Sequence, residues 1–249
     1  DTALMLAAIA GPDPRAPLSY AVDPRAFGRA VREPKIKGLS VAWGGDLGVT
    51  PVDDEVLKIC HGAMSVFRKL GARVEEEHPD MSGLQEIVLV SRGAGMVSRH
   101  AEKLSKWREV MQENLVKNIE YGLTLTATAI GRAERLRTDL GHRVREFFRR
   151  YDLLVTPTVA VPPFPVEVVY PTEINGKPMT HYIEWALLTY AFTVVGLPAI
   201  SVPCGFTREG LPVGLQIVGR WRDEAGALRA AAAFEAAAPW AHLRPPEPA

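Results

Sequence analysis

The segment GLPAISVPCGFTREGLPVGLQIVG, residues 196–219, limits the fold more than any other stretch of the chain. Two runs of β-forming residues, AISVPCGF and PVGLQIVG, flank the turn TREGL, where Gly210 can take a positive φ. They read as an antiparallel hairpin. Pro198 and Pro203 cannot donate to a strand ladder, so Pro198 should open a strand and Pro203 should lie at a sheet edge or bulge. Such breaks aim backbone and side chains into a cleft beside the sheet end, where α/β proteins bind ligands.

A second unit precedes the hairpin. Residues 39–43 of IKGLSVAWGGDLG form a short strand ending in a glycine turn. Thr50, Pro51, Asp53, Asp54 and Glu55 then start a helix, with carboxylates at the positive end of its dipole. Val56, Ile59, Cys60, Ala63, Phe67 and Leu70 recur at helical spacing as far as Gly71, and ARVEEE supplies another strand. The order predicts a βαβ unit with parallel strands over residues 38–80. Residues 152–240 should hold a strand and hairpin region with a terminal helix. That region starts with the strand in DLLVTP and a proline-rich loop, then an Asn175–Gly176 turn and an apolar helix in HYIEWALLTYAFTVV. The hairpin and a last helix in RDEAGALRAAAAFEAA follow, then the proline-rich tail APWAHLRPPEPA. The fold class is α/β.

Residues 82–151 read as mostly helical. The last long helix there turns Ile130, Ala133, Leu136, Leu140, Val144 and Phe147 inward. Arg132, Arg135, Arg137, Arg143, Arg145, Arg149 and Arg150 crowd its other face. Glu134, Asp139 and Glu146 are interleaved, no aromatic platform alternates with the arginines, and 29 basic residues balance 29 acidic ones. A solvated face is therefore expected, with no nucleic-acid partner. At the start, DTALMLAAIAG reads as a helix with Leu4, Met5, Ala7 and Ala8 on one face. GPDPRAPLSYAVDPRAFGRAVREP reads as irregular connection.

With 249 residues and 47% apolar side chains, the chain can bury a sizeable core. No apolar run approaches the roughly 20 residues that span a bilayer, so no membrane partner is expected. Two cysteines suit a reducing compartment, and a cytoplasmic location is expected. Residue 1 is Asp and already lies in a helical pattern, which predicts that the chain is a piece of a longer protein.

Self-contained chemistry is scarce. There is no Ser-x-x-Lys pair, no G-x-S-x-G elbow and no phosphate-cradling G-x-x-x-x-G-K-[ST] loop. The six histidines lack metal-ligand spacing, so neither a metal nor a cofactor is expected. Cys204, after Pro203 in an apolar run, has no neighbour to activate it, and packing is the expected role of both Cys204 and Cys60.

YDLLVTPTVAVPPFP, TVVGLPAISVPCGFTREGLPVGLQIVGR and DEAGALRAAAAFE, in that order, resemble the C-terminal half of the amidase signature family. DTALMLAAIAGPDPRAP and IKGLSVAWGGDLG resemble the segments that follow the signature region there. The resemblance implies that residues 1–249 are the C-terminal portion of one amidase domain. Its fold is part of an α/β/α sandwich on a twisted mixed sheet. It implies hydrolysis of small carboxylic amides without metal or cofactor. The nucleophile is a Ser activated through a second Ser, on a cis peptide, by an unprotonated Lys, with an oxyanion hole of backbone N–H groups. None of those parts is in this sequence, so no catalytic residue carries over. The chain should supply sheet and a substrate-pocket wall, should be inactive alone, and should partner the N-terminal half of the same protein or self-associate.

Family members usually have Asn-x-Thr before the Gly-x-Pro-Ala that matches Gly196, Pro198 and Ala199; this chain has Thr193 and Val195. The expected substrate-binding residues are Thr193, Trp185 and Tyr190. Two alternatives remain: a non-catalytic α/β binding or scaffold module, and an A-type subunit of a glutamyl-tRNA amidotransferase.

Overall fold

A computed structural model describes residues 1–240 together with 242 and 243. Most of the proline-rich tail expected after the last helix lies outside the described residues.

Helix α1 (Thr2–Ile9) forms where the sequence places it but turns a different face inward. Ala3 is buried and Leu6, Ala7 and Ala10 pack beside it, while Leu4, Met5 and Ile9 are exposed. Small residues at Ala3 and Ala7 let α1 approach α2 (Arg25–Arg32) closely. Helix α2 itself corrects the expectation of an irregular connection. The Asp23 carboxylate accepts from Arg25 N at 3.0 Å, Pro24 sits at φ −61°, and Phe27 and Ala30 are buried. The preceding loop is also tied down. Tyr20 donates its hydroxyl to Glu224 at 2.8 Å, and the Arg222 guanidinium lies 4.0 Å from its ring centre.

Strand β1 (Ser40–Trp43), helix α3 (Asp54–Lys69) and strand β2 (Arg73–Glu76) form the βαβ unit, with parallel pairing from Ser40↔Arg73 to Trp43↔Glu76. Asp53 caps α3 by accepting from Glu55 N and Val56 N. Three helices follow: α4 (Leu84–Trp107), α5 (Glu113–Leu123) and α6 (Ala127–Phe147). Helices α4 and α5 approach so closely that a Cβ on Gly122 would strike the carbonyl oxygen of Gly93. On α6, Ala133, Leu140, Val144 and Phe147 are buried and Leu136 is half-buried. Ile130 is exposed, contrary to expectation, because it sits in the first turn, before the helix meets the main core. The arginine face is solvated and paired: Arg132 with Glu86, Arg137 with Glu134, Arg143 with Asp80, Arg149 with Glu146 and Arg150 with Glu77.

The rest of the chain closes the sheet. Strand β3 (Leu153–Pro157) is buried at every residue. Strands β4 (Glu173–Ile174) and β5 (Lys177–Pro178) form a small hairpin around Asn175 and Gly176, at φ 51° and 73°. After a 3₁₀ turn, Glu184–Ala186, come α7 (Leu187–Thr193), β6 (Ala199–Phe206), β7 (Pro212–Gly219) and α8 (Glu224–Ala237). The five-stranded sheet runs β2-β1-β3-β7-β6. Strands β2, β1 and β3 are parallel; β7 is antiparallel to β3 and to β6. Pro198 precedes β6, and Pro203 sits on that edge strand at a register shift reaching Gly205, which is where residues without a free N–H can be tolerated.

Two helix layers cover the sheet. Helices α3 and α8 pack on one face, with Phe67 and Phe234 meeting at 5.4 Å between ring centres. Strand alternation puts Gln216 on the face opposite Leu215 and Ile217, where it reaches the Leu188 carbonyl of α7. Among the described residues no helix is long and apolar enough to cross a membrane.

Candidate functional site

The face of the sheet beneath α7 carries the polar groups. Gln216 is 5% exposed, and its Nε2 donates to Thr156 Oγ1 at 3.1 Å and to Leu188 O at 3.2 Å. The Thr156 hydroxyl donates onward to Pro157 O at 3.0 Å. This chain of bonds fastens β7 to β3 and to α7. Just past the end of β3, Thr158 Oγ1 and Ser201 Oγ share a hydrogen bond of 2.7 Å. Gly214 makes that possible, since a Cβ there would lie 2.9 Å from each oxygen. Ser201 is exposed, so the hydroxyl pair faces open space at the sheet edge.

The three residues expected to touch substrate lie along one short segment but do not gather around one cavity. Trp185 is half-buried; its carbonyl accepts from Ala160 N at 2.8 Å and its ring stands edge-on to Phe164 at 5.4 Å. It therefore braces the proline-rich loop after β3. Tyr190 is half-buried and its hydroxyl accepts from Arg92 Nη1 at 3.2 Å. Thr193 is exposed, returns its hydroxyl to Thr189 O at 2.9 Å, and lines a cavity of about 600 Å³ with Met5, Leu6, Pro198 and Ala199. Neither Trp185 nor Tyr190 lines that cavity.

Tyr190 leads instead to residues that the sequence alone does not single out. Arg92, on α4, donates from Nε to Asn118 Oδ1 at 3.2 Å and to the Tyr182 hydroxyl at 2.9 Å. Its Nη2 also donates to Tyr182, at 2.5 Å. Asn118, on α5, is 8% exposed and donates from Nδ2 to Asn114 O and to Tyr182. The adjacent His181 has its Nδ1 buried without a partner, and burial lowers its pKa below the usual histidine value. One signal exists in the chain: Arg92 is the one cation in the mostly apolar stretch 87–97 of α4.

Cys60 and Cys204, 144 residues apart, meet at 3.7 Å as free thiols. The bond to Cys204, together with burial, pushes the Cys60 thiol far above its ordinary value. A thiol held neutral is a poor nucleophile. A lysine acts as a base where burial or a neighbouring cation disfavours its charge, and every lysine of this chain is exposed. Among the described residues no cluster of three or more His, Cys, Asp or Glu side chains is placed to hold a metal.

Against known proteins, the Amidase family model matches residues 1–228. An acylamidase of Rhodococcus erythropolis is 37% identical over 98% of this chain and 52% of its own length. The A-type subunit of the glutamyl-tRNA(Gln) amidotransferase of Geobacillus thermodenitrificans is 30% identical over 98% of this chain and 54% of its own. The crystal structure of a bacterial aryl acylamidase of the amidase signature enzymes superposes with a TM-score of 0.81 at 28% identity, covering 93% of this chain and 50% of that one. The chain thus spans about half the length of the curated relatives it matches.

Proposed function

The chain belongs to the amidase signature family, and from that premise we propose that it forms the sheet and one substrate-pocket wall of an amidohydrolase. In this reading the complete enzyme cleaves the C–N bond of a small carboxylic amide in the cytoplasm. The serine nucleophile, the relay serine and the lysine base come from the signature-bearing N-terminal half of the same protein, which packs against this chain. Trp185, Tyr190 and Thr193 contribute to a substrate pocket that closes only when the N-terminal half packs against this chain. The 37% identity to an acylamidase across nearly the whole chain carries the reading. The exposure of every lysine supports the division of labour, because no desolvated amine is present here to take up a proton.

The test is hydrolysis of acetanilide, by the chain alone and by the chain combined with a signature-bearing N-terminal half. Turnover only in the combined sample is expected. Turnover by the chain alone, or by neither sample, overturns the proposal. A second reading, the A-type subunit of a tRNA amidotransferase, is favoured by the 30% identity to that protein. Acetanilide cleavage without further subunits supports the first reading against the second.

A further inference from the structure

The junction of α4, α5 and the segment before α7 holds more hydrogen-bond donors than acceptors. The Arg92 guanidinium carries N–H groups on all three nitrogens. Its contacts engage Nε and one N–H on each terminal nitrogen, leaving one on each without an acceptor among the described residues. The Tyr182 oxygen already receives Arg92 Nε, Arg92 Nη2 and Asn118 Nδ2, more donors than it has lone pairs. Among the described residues no acceptor takes the hydroxyl proton of Tyr182 or of Tyr190.

Among the described residues no carboxylate restores the balance. Among the described residues no ion pair includes Arg92. Glu184, the nearby acid, accepts from Gln85 Nε2 and from the Thr180 hydroxyl. Glu113 is paired with Lys117. The cluster is thus cationic, half-buried and short of acceptors. Beside it is a cavity of about 180 Å³ whose wall includes Asn118, Lys117, His181, Tyr121, Tyr170 and Tyr182. Asn118 and Tyr182 belong to both the cavity wall and the cluster, so the uncompensated charge of Arg92 stands directly behind that wall.

We propose that Tyr182, His181 and Asn118, backed by Arg92 and its partner Tyr190, form a subsite for the carboxylate of a small aromatic ligand. A carboxylate brings acceptors only: it would take the free hydroxyl proton of Tyr182 and meet the imidazole of His181, with the Arg92 charge directly behind them. The three tyrosine rings offer edges and faces to an aryl group. The inference rests on the amidase reading only for naming this ligand as part of a substrate, an amide bearing an aryl carboxylate.

Calorimetric titration of the 249-residue chain with benzoate, its neutral analogue benzamide and inorganic phosphate is the test. Benzoate should bind at least tenfold more tightly than benzamide. Arg92→Gln should weaken benzoate at least tenfold, and Arg92→Lys less than Arg92→Gln, because it keeps the charge behind the wall. Should Arg92→Gln fail to fold, the wild-type chain still decides: benzoate should raise its Tm by several degrees where benzamide does not. Equal affinity for benzoate and benzamide, no binding of benzoate, an unchanged Arg92→Gln, or phosphate binding more tightly than benzoate overturns the inference. Benzoate binding as described, in a chain whose combined enzyme cleaves no amide, would uphold this subsite and remove the hydrolase reading.

Discussion

The middle of the sheet and the junction of α4, α5 and α7 both enclose polar side chains, yet they satisfy them differently. Under α7, the amide N–H groups of Gln216 meet Thr156 Oγ1 and Leu188 O, and Thr156 passes its own proton to Pro157 O. At the junction, Arg92 spends its donors on the Asn118 amide oxygen and on two phenols that are themselves donors. Buried polar groups in folded proteins are nearly always paired. The first region therefore looks like structure, and the second like a place kept ready for something else. The contrast teaches that a site can announce itself by unbalanced hydrogen bonding rather than by a motif.

Disturbing the apolar support of the sheet should have the largest effect. Phe67 is fully buried against Phe234, so Phe67→Ala should lower unfolding free energy by about 4 kcal/mol in urea titration. A loss below about 1 kcal/mol would mean that the α3–α8 layer is loosely packed. Next comes the junction's scaffold. Gly122→Ala drives a methyl group into the Gly93 carbonyl and should cost about 3 kcal/mol by the same titration, with loss of benzoate binding as α4 and α5 separate. Asn175→Val combines a β-branched residue at φ 51° with loss of the amide bonds to Val52 O and Asp54 Oδ1, and should cost about 2 kcal/mol. Smallest is Arg149→Ala on the solvated helix face, expected to stay within about 0.5 kcal/mol because its pair with Glu146 is exposed. A larger change there would show that the arginine face is more than solvated.

What the sequence reveals follows how local each signal is. Asn175–Gly176, the Asp53 cap and the prolines around β6 act within a few residues, and each appears in the structure where the chain implies it. The inward face of α1 depends instead on which helix docks against it, and Ala3 is less conspicuous than Leu4 or Met5. Helix α2 is hidden because Pro24 and Gly28 look like breakers, although Pro24 begins the helix. The junction is the least legible. Arg92 lies 90 residues from Tyr182 and 98 from Tyr190, so only folding brings them together. Of the three residues expected at substrate, Tyr190 is the one whose side chain bonds to that cluster among the described residues. Thr193 stands out through family resemblance, not through a local pattern, and its hydroxyl turns back to its own helix.

The most direct test of the contrast is urea unfolding of Gln216→Met beside Arg92→Met, in the absence of added anions. Gln216→Met leaves Leu188 O and Thr156 Oγ1 without their donor and should cost about 2 kcal/mol. Arg92→Met takes the donor from Asn118 Oδ1 but also removes a charge that no carboxylate among the described residues pairs, and the second effect offsets the first. It should cost less than about 0.5 kcal/mol or be stabilising, as is common where residues serve a ligand at the expense of stability. If Arg92→Met is as destabilising as Gln216→Met, the junction is an ordinary closed network and the distinction drawn between the two regions is wrong.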